Sequence, residues 1–274
     1  MSAIARSATA GYTTHMNWAQ RRKLAYVMGV LFVIAAGLSL IIQKATKVEP
    51  TCYDKKQNQG EVGVDCGGPC TFYCANELAE PKERWVRTFE IRPGIVHAVA
   101  YIEHTYPTAA ARTMRYSFKL YDDKNTLITE RTGSTFLGPM GRTAIVETLI
   151  TTGNVVPTRT DFTIMPPLPW EKIPLSYSQI VLKTDRTELE PLTNMTRLTA
   201  TIENTSRVSF RDVDVVAILY DADDNAVTSS KAYLKELSGQ SSSQVIFTWP
   251  FAMPVPIGRI EIVPRINPFN SLAL

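Results

Sequence analysis

Reactive side chains are scarce in this sequence. Its 274 residues include three histidines and four cysteines, and the cysteines all fall between positions 52 and 74. Gly-x-Ser-x-Gly does not occur, nor Gly-x-x-x-x-Gly-Lys, nor His-Glu-x-x-His, so a serine-hydrolase elbow, a phosphate-cradling loop and a zinc-protease helix have no footing here. His15 lies in the N-terminal tail. His97 and His104 are seven apart, which puts them on opposite faces of a regular strand, so no shared metal or acid–base pair is expected and both read as surface or rim residues. The net charge of +3 is too small to imply a nucleic-acid partner. Beyond Pro81 no amphipathic helical period appears.

What is present begins with an uncharged run of nineteen residues, Leu24 to Ile42. As a helix it would be roughly 28 Å long, enough for a hydrocarbon core of about 30 Å. It reads as an uncleaved signal anchor. A cleaved signal peptide and a buried soluble helix are the alternatives; against the first stand the length of the run and the poor cleavage site in Gln43-Lys44-Ala45-Thr46-Lys47. Arg21, Arg22 and Lys23 on one flank, and Lys44 and Lys47 on the other, fit snorkelling side chains or lipid-headgroup contacts. The basic cluster abuts the run on the N-terminal side, which favours a cytoplasmic N-terminus. Ala25-x-x-x-Gly29 is a small-xxx-small pair that allows, without requiring, helix packing in a homo-oligomer.

Cys52, Cys66, Cys70 and Cys74 form an even, tight set just past this run. Next to an export signal such a set predicts two disulfides in an oxidising compartment. A four-thiolate zinc site competes, but C-x13-C-x3-C-x3-C lacks paired C-x2-C knuckles. Gly67-Gly68-Pro69 predicts a tight turn. Three connectivities are possible. Asp54, Asn58, Glu61 and Asp65 supply oxygen ligands at close spacing and are candidate calcium ligands, although the pattern is not that of an EF-hand. The competing reading is that they cap turns in a small stapled loop.

The stretch resembles a short cysteine motif of bacterial surface and secreted proteins, Cys-x-Asp-Gly-x-x-Asn-Gly-x-Glu-x-Gly-Val-Asp-Cys-Gly-Gly-x-Cys. Asp54, Asn58, Glu61, Gly63, Val64, Asp65, Cys66, Gly67, Gly68 and Cys70 match it in register, and Lys55 and Gln59 stand where the motif has glycine. The resemblance covers under a tenth of the chain and implies location rather than activity.

After a polar stretch, Asn76 to Arg84, that reads as a stalk or linker, the chain turns to runs rich in Val, Ile, Thr, Tyr and Phe separated by turn residues. Self-comparison gives three anchors in order. Ala100-Tyr-Ile-Glu-His104 lies over Ala200-Thr-Ile-Glu-Asn204, Phe118-Lys-Leu-Tyr-Asp122 over Ala217-Ile-Leu-Tyr-Asp221, and Phe162-Thr-Ile-Met-Pro166 over Ile260-Glu-Ile-Val-Pro264. Two copies of one β-domain are expected. Tyr116, Phe118 and Leu120 alternate with Ser117, Lys119 and Tyr121, predicting one buried and one wet face. Asp122-Asp-Lys-Asn125 and Asp221-Ala-Asp-Asp-Asn225 predict hairpin turns. Asp221, Asp223 and Asp224 are also a conceivable cation set, but a solvated turn is the simpler reading. Pro166-Pro167-Leu-Pro169 is a semi-rigid joint, with Trp170 an edge-of-core aromatic. Asn194-Met-Thr and Asn204-Thr-Ser fit glycosylation sequons.

Phe118 to Asp122 contains Phe-x-Leu-Tyr-Asp verbatim, and the chain resembles the bacterial and archaeal surface domain named for that motif, FxLYD, an immunoglobulin-like sandwich. The second copy has Ala217 for the Phe, but it carries Ile202-Glu-Asn-Thr-Ser206 and a closing strand with Phe247-Thr-Trp249 that suit the family. The resemblance implies fold and surface location; it lends no catalytic role.

The resulting expectation is a mainly β protein with one N-terminal transmembrane helix followed by two tandem immunoglobulin-like β-sandwiches. Its segments are a cytoplasmic tail (1–23), the helix (24–42), a Cys-rich collar and linker (43–87), a first sandwich (88–170) and a second (175–265). It would sit in the cell membrane as a single-pass protein with the bulk of the chain extracytoplasmic. No catalytic residue and no cofactor other than possible calcium is assigned. Its partners would be the membrane and an unidentified protein. The function expected is a non-enzymatic interaction or structural module; an accessory subunit positioning an exported enzyme or transporter is the second reading, and an enzyme built on loop carboxylates the third.

Overall fold

A computed structural model describes residues 17–45 and 49–272; Arg6, His15 and Lys47 lie outside them. The chain divides into two compact units that part between Thr51 and Cys52.

The first unit holds one helix, α1 (Trp18–Ala45). Asn17 precedes it: its side chain accepts from the Trp18 N–H, and Gln20 reaches back to accept from the Asn17 N–H, the returning half of a capping box. Between Leu24 and Ile42 the helix carries no charge on any side, and Leu24, Phe32 and Ile41 are more than half exposed. Such a surface calls for an apolar surrounding. By length and composition, Trp18–Lys44 is able to cross a membrane.

The second unit is two β-sandwiches. The first comprises β1 (Lys82–Arg92), β2 (Ile95–His104), β3 (Ala109–Tyr121), β4 (Leu127–Leu137), β5 (Gly141–Thr151), β6 (Arg159–Met165) and the short β7 (Glu171–Lys172). The second comprises β8 (Leu182–Leu192), β9 (Met195–Asn204), β10 (Ser209–Tyr220), β11 (Ala226–Leu237), β12 (Ser241–Trp249), β13 (Arg259–Arg265) and the short β14 (Ser271–Leu272). Sheets β1-β2-β5 and β4-β3-β6 enclose the first core; sheets β12-β9-β8 and β11-β10-β13 enclose the second. The strand order is the same in both, and each strand of the second starts a hundred residues, or one short of it, after its counterpart. The β6–β7 segment and the β13–β14 segment each run along one side of the long central strand, interrupted by a proline-containing excursion.

Pairing corrects one sequence anchor. Phe162 lies opposite Phe118, whereas Ile262 lies opposite Ala217. Ile262, not Ile260, is therefore the counterpart of Phe162. A slip of two preserves the face of every side chain in a strand, and Ile260 and Ile262 both pack against the second core. Core volume is redistributed rather than lost between the copies. The first core has Phe118 and, paired with Val96, Ile150; the second has Ala217 and, paired with Thr196, Trp249. Trp249 supplies the bulk that Ala217 lacks, and its indole N–H donates to the Ser229 carbonyl at 3.2 Å.

A third core joins the sandwiches. Phe89, Val99, Tyr101, Ala144 and Val146 of sheet β1-β2-β5 meet Val216, Ile218, Tyr220, Ala226 and Val263 of sheet β11-β10-β13. The second unit is thus a stack of four sheets with three apolar layers between them. The angle between the sandwiches is set by this seam rather than by the proline joint alone. Strands β2 and β10 are buried on both faces.

Candidate functional site

The collar and the seam gather the polar groups that the sequence singled out. Cys52 pairs with Cys70, and Cys66 with Cys74. Neither bond leaves the collar, so by themselves they only close it into small loops. Its attachment to the sandwich comes from hydrogen bonds. The Lys172 N–H donates to Thr71 O at 2.7 Å, the Tyr73 N–H to Trp170 O at 3.0 Å, and Phe72 bridges Glu171. Residues 71–73 therefore lie along β7, which itself lies along β3. The stretch expected to be a stalk is packed too: Leu78 touches the first core and the Ala79 N–H donates to the Tyr106 hydroxyl at 2.8 Å. β1 then starts at Lys82, inside that stretch. The expected linker is short of apolar residues, which hid how few anchors it needs.

The four calcium candidates come together in this loop. Asp54 accepts from the Lys56 N–H and the Asn58 amide, Asp65 from the Lys55 N–H, and Glu61 from the N–H groups of Asn58 and Asp65. These bonds clamp turns. Asn58 Oδ1 is buried without a hydrogen-bond partner. Glu61 Oε1 lies 3.2 Å from Cys70 Sγ, but that sulfur is bonded to Cys52, so Cys52, Glu61 and Cys70 make no thiolate site. Lys55 and Gln59, standing where the resembled motif has glycine, hold φ of 61° and 42°. The turns keep the left-handed backbone that glycine adopts freely.

Both Leu-Tyr-Asp turns have the same mechanics. Asp122 Oδ1 accepts from the N–H groups of Lys124 (2.9 Å) and Thr126 (2.7 Å). Asp221 Oδ1 accepts from those of Asp223 (3.0 Å) and Asn225 (2.8 Å). These bonds hold both carboxyls below their usual pKa. Asp224 pairs with Arg259 at 2.7 Å. Two of the three loop carboxylates are thus engaged by the turn and its neighbour.

Of the two strand histidines, His104 is not the surface or rim residue expected. His104 is buried, with Nε2 2.8 Å from Gly138 O and its ring 5.0 Å from that of Trp170. A carbonyl only accepts, so Nε2 carries the proton. Its counterpart in the second sandwich is Asn204, also buried, whose amide donates to Val208 O (2.8 Å) and Ser238 O (3.1 Å) and accepts from Ser206. His104 and Asn204 thus pin the corresponding turn in the two sandwiches, before β5 and before β12, and Asn204 holds the turn after its own strand as well. The sequon at Asn204 is a structural turn with its nitrogen occupied. His97 is half-buried on the seam side of β2, hydrogen-bonded to the Ser229 backbone across the seam. Burial lowers the pKa of both histidines, and the backbone bonds oppose the shift.

Polar contacts lock the edges of the seam. Tyr101 and Tyr220 both donate to Glu261, the latter at 2.8 Å, and Arg259 lies 3.2 Å from the same carboxylate. Burial would raise the pKa of Glu261, but the two hydroxyls and Arg259 outweigh it and hold it low. Burial, reinforced by Glu261, pushes Tyr220 up to about 12. At the other edge Arg265 reaches from β13 into the first sandwich, donating to Thr135 Oγ1 (2.8 Å) and Phe136 O (2.9 Å).

No family model and no curated protein matches the sequence. Among solved structures, a crystal structure of red sea bream transglutaminase is similar over 69% of this chain and 31% of that one, at 10% identity and a TM-score of 0.23. The chain thus spans under a third of that protein, and at such a score nothing passes from it to this chain.

The seam residues Tyr101, Glu261 and Arg265 were missed by the sequence reading. The signal was available in a comparison of the copies. Val215-Val-Ala-Ile-Leu-Tyr220 is unbroken where Tyr116-Ser-Phe-Lys-Leu-Tyr121 alternates, and Ala98-Val-Ala-Tyr-Ile102 is unbroken where Leu198-Thr-Ala-Thr-Ile202 alternates. Continuous runs belong to strands covered on both faces.

Proposed function

We propose that this protein is a non-enzymatic, membrane-anchored module whose collar and paired sandwiches stand outside the cell and present binding surfaces to a protein partner. The observation that carries the reading is the seam. Three apolar layers hold four sheets as one block, with the two outermost sheets left polar and open for contact. A rigid presenter needs no internal chemistry, and the hydroxyl, carboxylate and guanidinium groups of the seam serve to hold sheets together. The resemblances to FxLYD domains and to the surface-protein cysteine motif support the same location. The shared strand order and near-constant spacing support descent of the two sandwiches from one repeated unit.

The apolar helix acts here as an uncleaved signal anchor with its N-terminus in the cytoplasm. Intact cells treated with a membrane-impermeant maleimide test this. Labelling that appears only after mild reduction supports an external, disulfide-bonded collar. Labelling that requires lysis and no reductant overturns it. Pull-down of the full chain from detergent extracts then asks whether a stable partner accompanies it.

A further inference from the structure

A slot of 180 Å³ opens at the side of the first sandwich, between the edge strands β1 and β6. Ile102, Phe162 and Ile164 line it, and all three belong to the first core or pack against it. Glu80 and Glu83 line it as well, and both are exposed. At about 30 Å³ per water it has room for roughly six waters, or for one unbranched chain of about five heavy atoms.

The charge of the slot is one-sided. No cation lines it among the described residues. The neighbouring cations are directed elsewhere: Arg84 pairs with Glu103, Arg159 pairs with Asp161 at 2.8 Å, and Lys82 stands opposite Glu103 across the β1–β2 pair. Glu83 stands opposite Ile102, and cross-strand partners share a face, so its side chain leaves β1 on the side of the first core. Burial, and then the carboxylate of Asp161, raise its pKa. A carboxylate held over apolar side chains and near a second acid is stabilised by a cation. The fold itself needs no acid here, because Thr184 stands opposite Ile202 at the corresponding place in the second sandwich.

We propose that this slot receives a lysine side chain of the protein partner, with the butyl stem against Ile102, Phe162 and Ile164 and the ammonium at the rim with Glu83 and Glu80. The inference rests on the reading of this chain as a module that presents binding surfaces to a protein. Lysine is the side chain that suits such a slot: it lays a four-carbon stem along apolar surface and keeps its charge at the wet end. Its stem and ammonium together are five heavy atoms, which the volume admits. The ammonium donates to carboxylates in charge-assisted hydrogen bonds, the strong class. The apolar walls select for the stem and the acids select for the charge, so neither a bare cation nor an uncharged alkyl group satisfies both.

The test uses the full chain in detergent micelles, labelled at the isoleucine methyl groups. It is titrated with n-butylammonium chloride, and with n-butanol and sodium chloride as controls, while the methyl resonances of Ile102 and Ile164, assigned with Ile102→Val and Ile164→Val, are followed. The expected result is a saturable shift of both with n-butylammonium, with a dissociation constant in the millimolar range, that weakens as acid protonates Glu83. Glu83→Gln, an exposed change, raises that constant about tenfold and leaves the unfolding temperature in place. Equal shifts with n-butanol, shifts no larger than those of sodium, or binding unchanged in Glu83→Gln overturn the proposal. Tighter binding of n-propylguanidinium overturns the assignment to lysine in favour of arginine. The probes need no partner, so a failed titration counts against the slot, whereas a failed pull-down counts against the proposed function.

Discussion

His104 and Asn204 solve one problem with different chemistry. Each sits at the end of its strand, buried, and holds a carbonyl of the turn that leads into the strand paired beside it, Gly138 before β5 in one case and Ser238 before β12 in the other. His104→Asn is therefore expected to keep most of the stability at neutral pH, whereas His104→Ala leaves a buried carbonyl unpaired and costs about 1–3 kcal/mol. Chemical-denaturation midpoints compare the two. The pH dependence has a definite sign. Burial keeps the folded pKa of His104 below its ordinary value. As pH falls below about 6.5 the unfolded chain takes up the proton first, so stability present above that point is lost progressively towards acid. In His104→Asn this acid limb should flatten just below pH about 6.5, where His97 is the other histidine with a lowered pKa, while the lowered carboxyls of Asp122, Asp221 and Glu261 keep the slope at more acid pH. The collar supplies a second residue-scale case. Lys55 and Gln59 hold positive φ without being glycine, a strain of about 1–2 kcal/mol each. Lys55→Gly and Gln59→Gly should each stabilise the oxidised protein by about 0.5–1 kcal/mol after the entropy of glycine is deducted. Thermal melts of the single variants check this.

Strands β2 and β10 set the architecture because both of their faces are covered. Alternation made the outer strands readable from sequence: Tyr116, Phe118 and Leu120 point into the first core as expected. The unbroken runs in β2 and β10 say that both faces are covered but not by what. The answer depends on which two sheets meet, a contact more than a hundred residues apart in the chain. The same limit applies to the sites. The cysteines, the Asp122 and Asp221 turns and the carboxylates of the collar were legible because their partners are local. Arg265 was not, because Thr135 and Phe136 lie far away in sequence and Arg is ordinarily a surface residue. Ile218→Lys, which puts an ammonium into the seam, is expected to destabilise the chain by more than about 3 kcal/mol. The converse change at its counterpart, Lys119→Ile on the outer sheet, should alter stability by under about 0.5 kcal/mol but reduce solubility. Denaturation and light scattering separate the two outcomes.

For the whole second unit, the seam makes independent folding of the sandwiches unfavourable. Each sandwich alone would expose the apolar residues of the third core, Val99 and Tyr101 on one side and Val216 and Ile218 on the other. Calorimetry of the full chain should therefore give a single unfolding transition for residues 52–272, with calorimetric and van't Hoff enthalpies in agreement. Two separated transitions would mean that the seam contributes little.

The collar has a mechanical consequence. When the chain is pulled from its N-terminal side, tension that reaches Cys52 passes through the sulfur bridge to Cys70 and on to residues 71–73, which are hydrogen-bonded along β7. The stretch between those cysteines, a sequence separation of 18, is shunted off the load path. Only after that bridge is reduced can it extend, releasing roughly 60 Å of slack. Optical-tweezer traces of the oxidised and reduced chains should differ by an added step of about that length. Oxidation thus makes the collar a taut coupling between tether and sandwich, and reduction makes it a compliant one.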